Sequence, residues 1–108
     1  MTPPLPGPDA VGEPARARLD EVIHSPVRLS VVAALAATEE AEFGAVRDAV
    51  EISDSALSKA VTVLEQAGYV TVRKGYVGKR PRTWLTLSAQ GRAALRDHLA
   101  ALRAIAGD

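Results

Sequence analysis

The chain has 108 residues, 47% of them hydrophobic and 24% charged, a composition typical of one globular domain rather than of a disordered or fibrous protein. With no cysteine and only two histidines, the sequence excludes disulfides and thiolate metal sites, and we predict no metal, no cofactor and no catalytic residue. The longest uncharged run in the apolar part, Leu29–Thr38, is about half of what spans a bilayer, and the N-terminus lacks the pattern of a secretion signal. A cytoplasmic protein without membrane contact is therefore predicted.

The 13 basic and 13 acidic residues cancel in number but not in position. Residues 1–54 carry ten acids and four bases, a net charge of −6, whereas residues 55–108 carry three acids and nine bases, a net charge of +6. Halves as different as these suggest that a surface built from the second half faces an anion.

The first 14 residues differ in composition from the rest of the chain. They contain five of its seven prolines. Because proline lacks the backbone N–H that helices and central strands need, we predict a disordered Pro-rich tail over residues 1–14. The folded domain is then expected to cover residues 15–108.

Four helices are predicted in the first two-thirds of the chain, because apolar residues recur there at helical spacing. Their ranges are Ala15–His24, Pro26 to about Ala37, Gly44–Val50 and Asp54–Ala67. Ser25 and Ser53 are suited to cap the helices that follow them, and Pro26 fits a first helical position. The last two helices are joined by a three-residue turn and form a helix-turn-helix candidate.

After the fourth predicted helix, the spacing at which apolar residues recur changes from 3.6 residues, typical of a helix, to 2 residues, typical of a strand. Alternating apolar and polar residues predict strands at Tyr69–Lys74 and Thr83–Leu87, separated by a basic loop, Gly75–Arg82, that contains two glycines and a proline. Ser88 is suited to cap a last helix over Ala89–Ala106. The predicted fold class is α+β, mostly α.

The predicted Asp54–Ala67 helix has an apolar side and a polar side. Leu57, Ala60, Val61 and Leu64 recur at i, i+3, i+4 and i+7, as expected of residues that face the core. The other side carries small hydroxyls and one positive charge near its start, and it would fit a DNA major groove, which is about 12 Å wide. The residues predicted to face that groove are Ser55, Ser58, Lys59 and Thr62. The alternative is an exposed polar helix face that binds nothing.

The segment from Thr71 to Arg92 is strongly basic. It contains six cations and no acid, namely Arg73, Lys74, Lys79, Arg80, Arg82 and Arg92. Since duplex DNA has one negative charge per about 1.7 Å of its axis, a basic hairpin beside a groove-sized helix is suited to contact phosphates, and an arginine at its tip could enter a narrow minor groove. The residues predicted to make these contacts are Lys74, Lys79, Arg80 and Arg82. The alternative is a solvated hairpin.

Several motifs between about Leu19 and Leu99 resemble those of a known family. They are Ser25-Pro-Val-Arg-Leu, Ile52-Ser-Asp-Ser-Ala-Leu-Ser-Lys, Leu64-Glu-Gln-Ala-Gly-Tyr-Val, Arg73-Lys-Gly-Tyr-Val-Gly-Lys-Arg-Pro-Arg-Thr and Leu85-Thr-Leu-Ser-Ala-Gln-Gly-Arg. Together they resemble the small bacterial winged helix-turn-helix transcriptional regulators, the MarR-like and ArsR-like group, and especially its compact single-domain members.

The resemblance implies a winged helix-turn-helix fold: a three-helix core, a two-stranded wing and terminal helices. It also implies sequence-specific binding of double-stranded DNA as a homodimer and regulation of transcription, for which we expect a repressor. Two departures limit it. The cysteines of ArsR-type metal sensors are absent here, and the terminal helices are shorter than those with which MarR proteins build a dimer and a ligand pocket, so neither a metal switch nor a small-molecule effector is carried over.

Dimerisation is also expected because a single recognition helix reads few base pairs, whereas two that lie about 34 Å apart read a palindrome. The first and last predicted helices have apolar stripes available for this contact. The predicted interface residues are Leu19, Val22, Ile23, Leu95, Leu99 and Leu102.

Two other classes of function are weaker candidates. A winged-helix module for protein–protein interaction without DNA binding would present an apolar face, and six cations without an acid argue against it, because interface cores are depleted of charge. An enzyme is not predicted, since no nucleophile–base pair or phosphate-binding loop occurs at a usable spacing.

Overall fold

The computed structural model describes residues 12–107, which form four α-helices and a three-stranded antiparallel sheet. The helices are α1 (Pro26–Ala36), α2 (Phe43–Val50), α3 (Asp54–Gln66) and α4 (Ala89–Ala106). The strands are β1 (Ala41–Glu42), β2 (Val70–Val77) and β3 (Arg80–Leu87), in the order β1-β3-β2. The prediction of a mostly helical α+β fold with a helix-turn-helix followed by a hairpin is confirmed.

The prediction of a Pro-rich tail falls mainly on residues 1–11, which lie outside the described residues. The adjoining segment, residues 12–14, belongs to no helix or strand. The domain limits of 1–14 and 15–108 stay predictions.

Three of the helices begin at a serine, as predicted. The hydroxyl oxygens of Ser25, Ser53 and Ser88 accept hydrogen bonds from backbone N–H groups in the first turns of α1, α3 and α4, at 3.3, 3.1 and 3.0 Å. Each cap satisfies a donor that has no partner within the helix and contributes about 1 kcal/mol. The start of each of these helices is set by residues three positions apart in the chain, which explains why it could be predicted from the sequence.

The core is built around α1, which packs against α2, α3, α4 and β3. Arg28 is its only charged residue, and Val31, Val32 and Leu35 are almost completely buried. The largest residues that complete the core come from the other elements and from the N-terminal segment, and they are Ile23, Leu57, Leu64, Val70, Leu85 and Leu87.

The prediction of an α-helix over Ala15–His24 is wrong. A single 3₁₀ turn covers Ala15–Arg18, and the chain is extended at Leu19, where ψ is 139°. The Asp20 side chain supplies the reason, since its Oδ1 accepts hydrogen bonds from the backbone N–H groups of Val22 and Ile23 at 2.9 and 3.2 Å. An aspartate that bonds its own neighbours in this way competes with helix formation.

Asp20 also connects three parts of the fold. Its Oδ2 accepts a hydrogen bond from the Tyr69 hydroxyl at 2.5 Å, and its backbone N–H donates to His98 Nδ1 in α4 at 3.0 Å. The bond to Asp20, together with burial, raises the pKa of Tyr69 to about 12. Because Tyr69 follows α3 closely, this network ties the N-terminal segment and α4 to the end of the helix-turn-helix.

The stability of the domain is expected to fall at mildly acidic pH because of His98. Its side chain is fully buried, Nδ1 accepts the Asp20 N–H, and Nε2 has no hydrogen-bond partner among the described residues. Burial and then the neighbouring His24 lower the pKa of His98 below its ordinary value of 6.5. The unfolded chain therefore binds the proton first as pH falls, so stability is fully present above pH 6.5 and decreases below it.

The measurement is urea unfolding at a series of pH values between about 5.5 and 7.5, where we expect a slope of at most about 1.4 kcal/mol per pH unit. His98→Asn, which retains an acceptor but cannot titrate, is expected to flatten the profile even if it lowers stability overall. An unchanged slope in this variant would show that another group is responsible.

The hairpin is longer than predicted. The loop expected at Gly75–Arg82 is paired up to Val77 and Arg80, which leaves a two-residue turn at Gly78-Lys79. Gly78 has a φ of +64°, as the first central position of a type II′ turn requires. Pro81 is tolerated because β1 pairs only near Trp84, so one edge of β3 is open there.

In the part of the chain that the structure describes, no helix combines the length and the apolar character needed to cross a membrane.

Candidate nucleic-acid interface

Helix α3 divides into a buried side and an exposed side, as its sequence predicted. The residues on the buried side are Leu57, Ala60, Val61 and Leu64. The residues predicted to face a groove, Ser55, Ser58, Lys59 and Thr62, are all exposed. The hydroxyl of Thr62 donates to the carbonyl of Ser58 at 2.9 Å, which directs its methyl group away from that bond. This surface is small and mostly uncharged, so another molecule can approach the helix closely.

The start of α3 is attached to α2 by an ion pair. Arg47 Nη1 in α2 lies 2.8 Å from Asp54 Oδ1, and Arg47 Nε lies 2.9 Å from Asp48 Oδ1. These bonds raise the pKa of Arg47 above its ordinary value. Asp54 also lies in the first turn of α3, where the helix dipole favours a carboxylate. Both Ser53, the predicted cap, and Asp54 thus stabilise the start of this helix.

An open groove of about 360 Å³ separates α3 from the hairpin. Ser58, Thr62 and the exposed acid Glu65 line it from the helix, and Lys74 and Thr83 line it from β2 and β3. The floor is apolar and is formed by Phe43, Val61, Val72 and Leu85. The hydroxyl-bearing side of α3 and one cation of the hairpin are thus turned toward the same solvent-filled space. Lys59 lies on the other flank of the helix, in a cleft that it shares with Ser25 and Val27 of the α1 start.

The strand register gives the hairpin two different faces. Residues directly opposite each other in an antiparallel pair share a face, and neighbours along a strand alternate. The helix-side face, which continues the floor of the groove, carries Val72, Lys74, Tyr76, Pro81 and Thr83. The outer face carries Arg73, Val77, Arg80, Arg82 and Trp84. The predicted DNA contacts therefore do not all lie on one face of the hairpin, since Lys74 is on the helix side and Arg80 and Arg82 are on the outer side.

Half of the six cations counted between Thr71 and Arg92 have partners within the molecule. Arg73 pairs with Glu40 at 2.8 Å and lies 4.1 Å over the Trp84 ring, and the pKa of Glu40 is lowered by this hydrogen bond. The ion pairs are largely exposed, so they contribute little stability, but they neutralise the charge.

Two further cations of this segment have partners within the molecule. Arg82 pairs with Glu42 at 2.9 Å, and Arg92 donates to the Ala36 and Thr38 carbonyls at 3.1 Å each. The interpretation of six uncompensated cations is therefore wrong for Arg73 and Arg82, which pair with acids. Arg92 has no acidic partner among the described residues, but its guanidinium is occupied by two backbone carbonyls. Lys74, Lys79 and Arg80 make no ion pair with residues 12–107 and are all exposed.

Glu40 and Glu42 are the residues that the sequence analysis missed. They flank Ala41, and β1 pairs with β3 through Ala41↔Leu85 and Glu42↔Trp84. Two acids separated by one residue, just before the apolar start of a helix, are a weak sign of a short edge strand. Only the pairing of β1 with β3 places Glu42 beside Arg82.

The six residues predicted for a dimer interface separate into two groups. Ile23 and Leu95 are buried in the core of the subunit itself, with 0% and 9% of their surface exposed. Leu19, Val22, Leu99 and Leu102 are half-buried and keep apolar surface at the exterior. Near the end of α4, Ile105 is 50% exposed. A contact with a second chain could therefore use the second group only.

Within residues 12–107, no three histidine, cysteine, aspartate or glutamate side chains are grouped closely enough to hold a metal ion.

Comparison with known proteins identifies the fold. Residues 27–106 match the family described as the winged helix DNA-binding domain. The structure is similar to that of a transcriptional regulator homologue from Pyrococcus horikoshii, with a TM-score of 0.75 and 25% identity, covering 82% of this chain and 87% of that one.

Two further structures share the fold at lower identity. A MarR-family transcriptional regulator from Silicibacter pomeroyi has a TM-score of 0.63 and 23% identity, covering 83% of this chain and 60% of that one. The transcriptional regulator MOSR of Mycobacterium tuberculosis, solved in complex with DNA, has a TM-score of 0.65 and 19% identity, covering 86% and 63%. This chain thus spans less than two-thirds of either.

The predicted resemblance to MarR-like winged helix regulators is confirmed by these matches, whereas its ArsR-like part and a bacterial source stay predictions. The family is non-enzymatic, in agreement with the prediction that the chain is not an enzyme. In this architecture α2 and α3 correspond to the helix-turn-helix, α3 takes the place of the recognition helix, and the β2–β3 hairpin corresponds to the wing. The chain belongs to the winged helix DNA-binding domain family.

Proposed function

We propose that the protein is a sequence-specific DNA-binding regulator of transcription that acts as a homodimer and a repressor. The observation that carries this proposal is the groove shared by the exposed hydroxyls of α3 and Lys74 of the wing. A duplex whose major groove receives α3 would meet Ser55, Ser58 and Thr62 at its base edges. These short side chains leave room for the helix to enter a groove about 12 Å wide.

The wing is proposed to contact the phosphates that border that groove. Lys74, Lys79 and Arg80 are exposed and form no ion pair with the described residues, so their charges are available to an anion. Lys59 is proposed to contact a base edge or phosphate on the opposite flank of α3. Arg82 is one-third exposed and paired with Glu42, so its contact with DNA requires that it leave this carboxylate.

The homodimer is proposed from the need to read a longer site and from the apolar surface that the subunit leaves exposed. Leu19 and Val22 before α1, and Leu99 and Leu102 in α4, are the predicted interface residues that are only partly buried, and Val22 and Leu99 also pack against the core. We propose that these contact a second copy. The cytoplasm, where such a regulator meets DNA, is its proposed location.

The test is selection of bound sequences from a random DNA pool, followed by anisotropy titrations of the selected duplex over a range of salt concentrations. We expect a palindrome with half-sites about 34 Å apart that binds two chains. If about six phosphates are neutralised per dimer, the logarithm of affinity should fall with the logarithm of salt at a slope near −5. Absence of binding even at low salt would reject the proposal and favour a protein-interaction module.

A further inference from the structure

The tip of the wing exposes two large apolar side chains. Tyr76 and Val77 immediately precede the Gly78-Lys79 turn and are 74% and 57% exposed. Apart from them, only Ile105 is comparably exposed among the large apolar residues that the structure describes. The Tyr76 ring therefore does not pack against the hairpin, and its contribution to the folded subunit is small.

The position of Tyr76 in the sheet decides which way it faces. Tyr76 is opposite Pro81, and it lies two residues beyond Lys74 on the helix-side face of the hairpin. Lys74 lines the groove together with Ser58 and Thr62 of α3. A ligand that occupied this groove and continued along the wing would reach Tyr76 next. Val77, on the outer face, would be on the far side of the hairpin from it.

Tyr76 is part of a regular, paired strand. The two strands of the wing are paired up to the turn, where Tyr76 lies opposite Pro81 and Val77 lies opposite Arg80. A side chain presented by a rigid element loses little freedom when it is buried by a ligand. An exposed aromatic residue on such a support is suited to binding.

The charges around Tyr76 indicate which kind of ligand would bind over its ring. Lys79 follows it in the turn, Arg80 begins β3 and Lys74 precedes it. Residues 71–92 contain no acid, and Glu65 of α3 is, among the described residues, the one acid that lines the groove beside Lys74. A neutral protein surface would leave these cations unpaired, whereas DNA offers phosphates for the cations and the apolar walls of deoxyribose for the ring. Apolar side chains are frequent where proteins enter the minor groove.

We infer that Tyr76 is a DNA-contacting residue whose ring packs on the deoxyribose of the minor groove that adjoins the major groove held by α3. The inference rests on the proposed function and deepens it, because it adds an uncharged contact to the cationic wing. Lys74, on the same face, and Lys79, in the turn, bind phosphate, and Tyr76 supplies an apolar contact beside them. The energy of this contact does not come from counterion release.

Salt dependence distinguishes the two kinds of contact. Tyr76→Ala is expected to weaken binding to the selected duplex about tenfold, because the apolar area of the ring is no longer buried against the sugars. It should do so equally at every salt concentration, with the slope unchanged, because no phosphate contact is lost. Tyr76→Phe should retain wild-type affinity if the ring makes the contact.

Val77→Ala is the matched control, since it removes a comparably exposed apolar side chain from the outer face. It should change affinity less than twofold, and circular dichroism should show that both alanine variants fold as the wild type does. Wild-type affinity in Tyr76→Ala would overturn the inference while leaving the proposed function intact. A changed slope would also overturn it, as would a protein partner lost with Tyr76 while DNA binding stays unchanged. Failure of the wild type to bind DNA would instead reject the proposed function, and with it this inference.

Discussion

Replacing both Lys79 and Arg80 by alanine is expected to weaken DNA binding about a thousandfold at 0.15 M salt. These two cations lie at the wing turn, are exposed, and form no ion pair with the described residues. In a dimer the double variant removes four of about six proposed phosphate contacts, so the salt slope should change from near −5 to about −2. Anisotropy titrations of one duplex at several salt concentrations measure both quantities.

The control for lost charge is Arg16→Ala/Arg103→Ala, which removes the same charge from two exposed positions outside the groove. It should leave the slope nearly unchanged. A second comparison distinguishes phosphate contacts from base contacts. The wing variant should weaken binding to all duplexes, whereas Thr62→Ala in α3 should change the preferred sequence. If the wing variant kept a slope near −5, the phosphates would have to be contacted by another surface.

Replacing Gly91 by alanine is expected to destabilise the domain by about 2 kcal/mol and to lower its melting temperature by roughly 10 °C. A Cβ at this position in α4 would lie 2.4 Å from the carbonyl oxygen of Tyr69 and 2.6 Å from Leu87 Cδ1. The carbonyl cannot withdraw easily, because it accepts a hydrogen bond from Ser88 N–H at 2.9 Å. The helical preference of alanine over glycine recovers at most about 1 kcal/mol.

Gly44→Ala in α2 is the matched control, because the same methyl group would meet only the end of the Arg47 side chain at 3.5 Å. This variant should be neutral or slightly more stable. Thermal unfolding followed by circular dichroism compares the two. Equal melting temperatures would show that the approach of α4 to Tyr69 is looser than 2.4 Å implies.

The elements that could be predicted are those whose signals are local. Ser25, Ser53 and Ser88 cap helices that begin within one residue of the predicted starts. The apolar spacing of Leu57, Ala60, Val61 and Leu64 identified the buried side of α3 correctly. In each case the residues that decide the structure lie within one or two helical turns of one another.

The failures have a tertiary cause. Ala15–His24 has helical periodicity, but the Asp20 carboxylate binds the N–H groups of Val22 and Ile23 instead. Asp20 is held in that place by Tyr69 and His98, which are 49 and 78 residues away in the chain. Likewise β1 exists only because β3 lies beside it, and its pairing places Glu42 next to Arg82. A count of cations along the chain does not show which of them are neutralised by distant acids.

By itself, the sequence determined the family, the order of helices and strands, the polar side of the recognition helix and the basic character of the wing. Periodicity, capping and composition are properties of neighbouring residues, so they are visible without coordinates. Only the tertiary structure decided which wing cations are free to meet an anion, that Ile23 and Leu95 belong to the core, and that Tyr76 faces the side of α3. These depend on strand register and on contacts between distant segments, because burial and ion pairing are set by what the fold brings together.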